Sequence, residues 1–278
     1  MPELPEVETV KNALAPWLTG RTIRWARRVD APDGPKYAGL ERAQGQTIAA
    51  VERRGKFIVL PLSSGDEMVV HLGMTGALSP EPQVDHVRVE VALEGRAPNR
   101  LFFRDPRRFG RFVVLAPGGR TALPTLAAMG PEPLSDTFTA SGLFEALKAR
   151  RSALKAVLLG QRVVAGVGNI YADEALWRAG LHPELRADKV SKRQVAVLHR
   201  VIIEVLAESI GHGGTTLRDY RQLDGGSGTH QDALGVYGRA GAACPRCESV
   251  LERLVVGQRG TTFCPVCQRR GRAPRSSE

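Results

Sequence analysis

The chain has 278 residues, a formal net charge of +10 and 42% hydrophobic residues. That is length for about two domains and enough apolar content for buried cores, which excludes a disordered chain. Only seven of the 39 basic residues are lysine; the arginine excess favours a polyanionic partner, although a GC-rich genome would leave the same bias.

In chain order, the acidic start Met1-Pro-Glu-Leu-Pro-Glu6 is unlike a secretory signal. No run approaches the ~18 apolar residues of a membrane helix. Pro5 suits the first turn of a helix in which Val7, Val10, Leu14 and Leu18 keep helical spacing, with Pro16 near its end. Strands are predicted over 56–62, 67–72, 87–93, 100–103 and 111–115, punctuated by Gly55, Gly65 and Gly95. Val87, Val89, Val91 and Leu93 alternate with mostly polar residues, the pattern of a half-buried strand. Together these predict a sheet-rich domain, a sandwich or flattened barrel. Pro/Gly-rich stretches at 116–119 and 129–134 read as the approach to a linker. Beyond it helices are predicted over 152–159, 171–178 and 191–211, the last with Ser191 and Gln194 at capping-box spacing. The glycine-rich stretch 211–243 reads as a functional loop or a plain surface connector.

All four cysteines form two CxxC pairs, Cys244 with Cys247 and Cys264 with Cys267. Two such pairs supply four thiolates to one structural Zn2+ and leave no open coordination position. Strands predicted over 251–256 and 261–263, with Gly257-Gln-Arg-Gly260 as the turn, make the metal the staple of a β-hairpin with Arg259 at its tip. The helix that a groove-reading finger inserts has no counterpart between the pairs.

Between Arg96 and Phe112 six arginines surround one acid. Asp105-Pro-Arg-Arg-Phe-Gly110 reads as a tight turn that puts Arg107 and Phe109 on an exposed loop, where a cation beside a ring suits insertion into a base stack. Pattern alone favours the core for Phe109, and also for Met74 in Leu72-Gly-Met-Thr-Gly76. Pro2 favours removal of Met1, which frees a secondary amine. Deprotonated, that amine can attack an aldehyde-like carbon and form an iminium, an electron sink for elimination. Pattern alone reads this terminus as inert.

The ordered motifs Met1-Pro-Glu-Leu-Pro-Glu-Val-Glu-Thr-Val10, Arg54-Gly-Lys-Phe57, His71-Leu-Gly-Met-Thr-Gly76, Asp85-His-Val87, Asp105-Pro-Arg-Arg-Phe-Gly110, Gly130-Pro-Glu-Pro-Leu134, Gly166-Val-Gly-Asn-Ile-Tyr171, Gly213-Gly-Thr-Thr-Leu-Arg-Asp219 and Val236-Tyr-Gly-Arg239 precede the four-cysteine finger. With it they resemble the bacterial formamidopyrimidine-DNA glycosylases over roughly residues 1–270. The resemblance implies an α+β chain of two domains: an N-terminal β-sandwich with flanking helices, and a C-terminal helical domain with a helix–two-turn–helix motif and a zinc β-hairpin finger. DNA would lie in the cleft between them. The expected divisions are 1–130 for the catalytic sandwich, 131–236 for the helical domain with its recognition loop, 237–271 for the finger and 272–278 for a flexible tail.

The same resemblance implies a bifunctional glycosylase and AP lyase. It would flip 8-oxoguanine or a formamidopyrimidine out of double-stranded DNA, excise it, and cleave the backbone at the abasic site by β,δ-elimination. Pro2 would attack C1′ and Glu3 would serve as the acid/base. Lys56 would donate a proton in β-elimination, and Arg259 would act in δ-elimination. His86, Arg107, Arg150 and Asn169 match DNA-contacting positions, and Lys155 matches a damage-recognition position. Met74, Arg107 and Phe109 match the residues that fill the void. A cytoplasmic, nucleoid-associated monomer with no membrane partner is expected. Two rivals stand beside this reading: the sister endonuclease VIII type, which prefers oxidised pyrimidines, and a zinc-stapled DNA-binding module without chemistry. Glu3-Leu-Pro-Glu-Val7 and the Asp105–Gly110 loop favour the purine enzyme; Pro2, Glu3 and Lys56 favour an enzyme over a module. One departure stands out. Family members often carry an aromatic after the last glycine of Asp-Gly-x-x-Gly, and here Thr229 follows Gly228.

Overall fold

The computed structural model describes residues 1–82, 84–217, 223 and 225–270. They form two compact units, residues 1–128 with 209–231 and residues 129–208 with 232 onward. Arg218, Asp219 and Asp224 of the glycine-rich loop, and the tail 272–278, lie outside the described residues.

The first unit opens with helix α1 (Leu4–Leu18), which buries Leu4, Val7, Val10, Leu14 and Leu18 along one stripe; Pro16 falls in its last turn. Two four-stranded antiparallel sheets follow. One has the order β1 (Ile23–Arg28), β6 (Val87–Leu93), β7 (Arg100–Arg104), β5 (Ala77–Ser79). The other has the order β2 (Glu52–Arg54), β3 (Phe57–Pro61), β4 (Glu67–His71), β8 (Arg111–Leu115). Their apolar side chains, among them Ile58, Leu60, Val70, Val89, Val91 and Phe103, share one core with the α1 stripe. This is the expected sandwich with a flanking helix.

Strand β6 corrects the half-buried expectation, because all seven of its residues are buried. The polar positions are covered by ion pairs rather than by water. Arg88, only 1% exposed, donates to the Asp105 carbonyl at 2.9 Å and pairs with the Asp30 carboxylate at 2.5 Å. Glu90 accepts from Arg27 at 2.8 Å and from Arg100 at 2.7 Å. Strands β1, β2 and β5 were not predicted: the only fully buried side chain of β1 is Ile23, and β2 and β5 have three residues each.

The second unit is helical, with α3 (Ala140–Lys148), α4 (Leu154–Leu159), α5 (Asn169–Arg178) and most of α6 (Lys192–Gly211), after the single-turn α2 (Pro124–Ala127) of the first unit. Helix α3 was also not predicted; Thr139 caps it, accepting the Gly142 N–H at 3.1 Å. The predicted capping box of α6 is present: Ser191 N–H donates to Gln194 Oε1 at 2.9 Å and Gln194 N–H to Ser191 Oγ at 3.3 Å. Residues 160–168 join α4 to α5. The buried Gln161 side chain ties them, donating to the Val167 carbonyl at 2.6 Å and accepting the Gly166 N–H at 2.8 Å. Gly130 backs onto this turn, where a Cβ would stand 2.5 Å from the Arg162 carbonyl.

The finger hairpin is β9 (Glu252–Val256) and β10 (Arg259–Phe263), with Arg259 paired to Val256. The turn is therefore Gly257-Gln258 alone, both at positive φ (56° and 62°), rather than the four residues expected. Arg259 is the exposed first residue of β10, beside the tip.

Candidate functional site

Pro2 and Glu3 are buried immediately before α1. Glu3 is the N-cap, and a reciprocal capping box joins its side chain to the Glu6 backbone and the Glu6 carboxylate to the Glu3 N–H, at 2.7 Å. The other Glu6 oxygen accepts the Thr215 N–H, also at 2.7 Å. Glu6 is 1% exposed, so this carboxylate is a buried joint between the chain start and the glycine-rich loop. Gly214 makes the approach possible: it has φ +85°, and a Cβ there would lie 3.0 Å from Glu6 Cγ and Oε1. Sequence reasoning gave Glu6 neither the capping bond nor the bond to Thr215.

Lys56 is buried in the turn between β2 and β3, where Gly55 takes a positive φ of 57°. On the neighbouring strand, His71 stacks on Phe57 with ring centroids 4.7 Å apart. Burial first, and then the positive charges of Lys56 and Arg111, hold its pKa down at about 4. Its Nδ1 accepts the Gly73 N–H at 3.2 Å. The neutral ring thus carries its proton on Nε2. His71, Lys36, Phe57, Phe109 and Arg111 line a cavity of about 220 Å³. Sequence reasoning quoted His71 within a motif and gave it no role.

The 105–110 loop is built on Asp105, which is fully buried. Oδ1 accepts the Thr75 hydroxyl and Oδ2 the Gly110 N–H, each at 2.7 Å. Gly73 lies against the same loop, since a Cβ there would come within 2.6 Å of the Phe109 carbonyl carbon and 2.5 Å of Gly110 N. The Met74 turn and the arginine loop are thus pressed together backbone to backbone. Phe109 is 52% exposed with the Arg107 guanidinium 4.9 Å over its ring, and Met74 is half-buried. The pattern-only reading of both as core residues is overturned; the bonds to Asp105 hold the loop out from the sandwich. His86, with a positive φ of 57°, is on the surface 3.5 Å from Asp85, and its carbonyl accepts the Asp105 N–H at 3.0 Å.

In the second unit Asn169 opens α5, and its amide donates to the Gly260 carbonyl at 3.1 Å. Its buried Oδ1 has no partner among the described residues. A cavity of about 370 Å³ adjoins it, lined also by Tyr237, Arg253 and Thr262. The Arg150 guanidinium folds back onto the Ala146 carbonyl near the end of α3. Lys155, expected at a damage-recognition position, lies inside the second unit. It is 0% exposed, and its ammonium meets Asp173 at 2.6 Å, the Thr261 hydroxyl at 2.7 Å and the Gly260 carbonyl at 3.2 Å. Burial pushes the Asp173 carboxyl up to about 6, against the pull of Lys155. Asp173 also accepts the Thr262 N–H at 3.0 Å. Next to it, Glu174 accepts three backbone N–H groups, from Gly235, Val236 and Tyr237, at 2.8–3.0 Å. Neighbouring acids on α5 therefore hold the hairpin strand and the chain leading into the finger. Neither role has a local sequence signature.

The four cysteine Sγ atoms lie within 4.8 Å of one another. The Cys247–Cys264 and Cys247–Cys267 separations are 3.4 Å, and Cys244–Cys267 is 4.0 Å. Tetrahedral zinc with Zn–S of about 2.3 Å asks for roughly 3.8 Å, so the donor set and spacing fit one structural zinc ion. The Cys264 N–H is held by Gln268 Oε1 at 2.8 Å, and Gln268 in turn donates to the Leu181 carbonyl at 2.8 Å.

Three family models match in the order in which these sites occur. They are the formamidopyrimidine-DNA glycosylase N-terminal domain over 1–112, the formamidopyrimidine-DNA glycosylase H2TH domain over 129–221, and the zinc finger found in FPG and IleRS over 241–270. A curated formamidopyrimidine-DNA glycosylase of Thermus thermophilus is 48% identical over 98% of this chain and 100% of its own. This chain belongs to the formamidopyrimidine-DNA glycosylase family. The crystal structure of the MutM (Fpg) protein of T. thermophilus superposes with a TM-score of 0.90 at 47% identity, covering 98% of this chain and 100% of that one. A mutant Fpg of Lactococcus lactis, in complex with a Fapy-dG containing DNA, gives 0.86 at 33% identity over 97% and 100%. Within the family the four cysteines are the zinc-finger ligands. Among the described residues, no helix is long and apolar enough to cross a membrane.

Proposed function

We propose that this chain excises 8-oxoguanine and formamidopyrimidines from double-stranded DNA and then cleaves the abasic strand by β,δ-elimination. The observation that carries this reading is the start of a family chain in which Pro2 and Glu3 are buried beside a carboxylate, Glu6, that also binds the glycine-rich loop at Thr215.

With Met1 in place the Pro2 nitrogen is a tertiary amide, and its removal supplies the nucleophile. The free amine attacks C1′, the bond from C1′ to the base breaks, and the base leaves with a proton while Glu3 helps open the sugar ring. The resulting iminium acidifies C2′. Loss of that proton expels the 3′ phosphate, with Lys56 as proton donor, and a second elimination assisted by Arg259 expels the 5′ phosphate. His86, Arg107, Arg150 and Asn169 would grip the DNA, Asn169 from the N-terminus of α5. Met74, Arg107 and Phe109 would occupy the space left by the extruded nucleotide; an exposed ring capped by a guanidinium supports that role. Lys155 would act at a distance, by fixing the strand that carries Arg259. The zinc is structural and takes no step in the chemistry. We assign catalysis to 1–130, the helical region to 131–236 and the finger to 237–271, with 209–231 packing in the first unit. The enzyme would work as a monomer on the nucleoid in the cytoplasm.

Borohydride reduction in the presence of an 8-oxoguanine·cytosine duplex tests the reading. A covalent adduct is expected with the native chain and is lost in Pro2→Gly. No adduct from the native chain would mean a DNA-binding module, and preferential trapping on thymine glycol would mean the pyrimidine-specific sister type.

A further inference from the structure

We infer that Asp173 is a positioning residue for Arg259: acting through Lys155 and the Thr261 hydroxyl, it fixes the backbone from which Arg259 reaches its substrate. All of these residues belong to the second unit. Lys155 lies in α4, Asp173 in α5, and Arg259 and Thr261 in β10. The effect on the reaction rests on the δ-elimination role proposed for Arg259.

The contacts form a chain with one direction. The Asp173 carboxylate meets the Lys155 ammonium at 2.6 Å, with both side chains no more than 1% exposed. Charge holds this contact, since the approach does not have the geometry of a hydrogen bond. The ammonium donates to the Thr261 hydroxyl at 2.7 Å. An ammonium has no lone pair to accept with, so the single hydroxyl proton turns away from it. That proton goes to the Arg259 carbonyl, 3.1 Å away. A charge on α5 thereby sets the direction of a hydrogen bond at the backbone of Arg259.

The residues around Arg259 are fixed from the same two helices. The Gly260 carbonyl accepts from Lys155 at 3.2 Å and from Asn169 at 3.1 Å, and the Thr262 N–H donates to Asp173 Oδ2 at 3.0 Å. In the turn before Arg259, a Cβ on Gly257 would lie 3.4 Å from the Ala156 Cβ, so the tip rests on α4 as well. The Arg259 side chain is exposed. An exposed cation on an anchored backbone has less conformational freedom to lose when it meets a phosphate. The charged groups facing Asp173 are Lys155 and Glu174. Burial pushes the Asp173 carboxyl up to about 6, so acid removes its charge and, with it, the pull on Lys155.

A preformed abasic duplex tests this, because the β- and β,δ-elimination products differ at their 3′ ends and run apart on a gel. The readout is the ratio of β,δ- to β-product. Thr261→Val keeps the shape of the side chain and removes the hydroxyl. It should lower the ratio roughly 3- to 10-fold, as for the loss of one hydrogen bond, and Thr261→Ser should restore it. Asp173→Asn keeps an acceptor for the Thr262 N–H but no charge, and should also lower the ratio. Between about pH 7.5 and pH 5 the ratio should fall more for the native chain than for Asp173→Asn. Amide exchange of residues 259–261 reads the anchoring without any reaction, and should rise in Thr261→Val at unchanged zinc content. A native ratio in Thr261→Val would overturn the inference, whether or not its exchange is faster. Arg259→Ala is the control: if it leaves the ratio unchanged, the δ-elimination role of Arg259 fails instead, and amide exchange alone decides the anchoring.

Discussion

His71 is kept neutral by burial beside Lys56 and Arg111, and that makes a pH prediction. Its pKa in the folded chain is about 4, against about 6.5 when unfolded. Between those values the unfolded chain takes up a proton that the folded chain refuses, so stability falls as pH drops through the window and the loss is complete below about 4. The urea midpoint of the native chain should fall more between pH 7 and pH 4.5 than that of His71→Gln. The difference should be on the order of 2 kcal/mol. Equal declines would refute a neutral, buried His71. Glu6 shows a different kind of residue effect: one carboxylate oxygen completes a helix cap and the other anchors a loop. A substitution at Gly214 should act through Glu6, because its Cβ would stand 3.0 Å from that oxygen. Gly214→Ala is expected to lower the rate of base excision, read in single-turnover assays, with little change in overall secondary structure. An unchanged rate would show that the carboxylate tolerates displacement.

The arginine loop and the finger hairpin are elements defined more by their anchors than by their own sequences. Asp105 satisfies the Thr75 hydroxyl and the Gly110 N–H from a fully buried position. Asp105→Ala leaves a buried N–H without an acceptor, for a loss of about 2–4 kcal/mol, while Asp105→Asn keeps one acceptor and should lose less. Thermal unfolding of the two variants checks the order; equal Tm values would mean that the loop is held elsewhere. The elements legible in the sequence were those whose burial follows a simple period: α1, α6 and the apolar strands β3, β4 and β8. Strand β6 had the right place and the wrong exposure, because Arg88 and Glu90 are covered by partners from 30 and from 27 and 100, which no local pattern reveals. Short β2 and β5 and the largely polar β1 carry too little periodicity to be seen. Among the candidate residues, the four cysteines stood out because metal ligation is tied to fixed spacings, whereas Pro2, Glu3 and Lys56 were singled out through the family resemblance. Asp105, Asp173 and Glu174 did not, since their work is to bind backbone groups distant in sequence.

On the scale of the whole molecule, DNA binding would draw on only some of the 32 arginines behind the net charge of +10. Arg107 is exposed on its loop and Arg259 beside the hairpin tip, whereas Arg88 is a buried strut. Many other arginines sit in ion pairs, such as Arg27 with Glu90, Arg120 with Glu67 and Arg186 with Asp188. The zinc site belongs to this scale too, because the second unit ends on it. A structural zinc contributes on the order of 10 kcal/mol to the folding of a small finger. Removal of zinc with a strong chelator should therefore release the 252–263 hairpin and the Arg259 it presents. Amide hydrogen exchange should rise across β9 and β10 but not across β3 and β4, and affinity for an abasic duplex should fall. Full protection of the hairpin without zinc would show that Lys155, Asp173 and Glu174 suffice to hold it.

The bond from Thr215 to Glu6 spans 209 residues. During synthesis, at about 5–20 residues per second, the cap around Pro2 and Glu3 would wait roughly 10–40 s for its last donor to leave the ribosome. The polypeptide that emerges first thus waits for residue 215 before its buried carboxylate is fully bonded. A truncated translation product would carry the proline but not its completed setting.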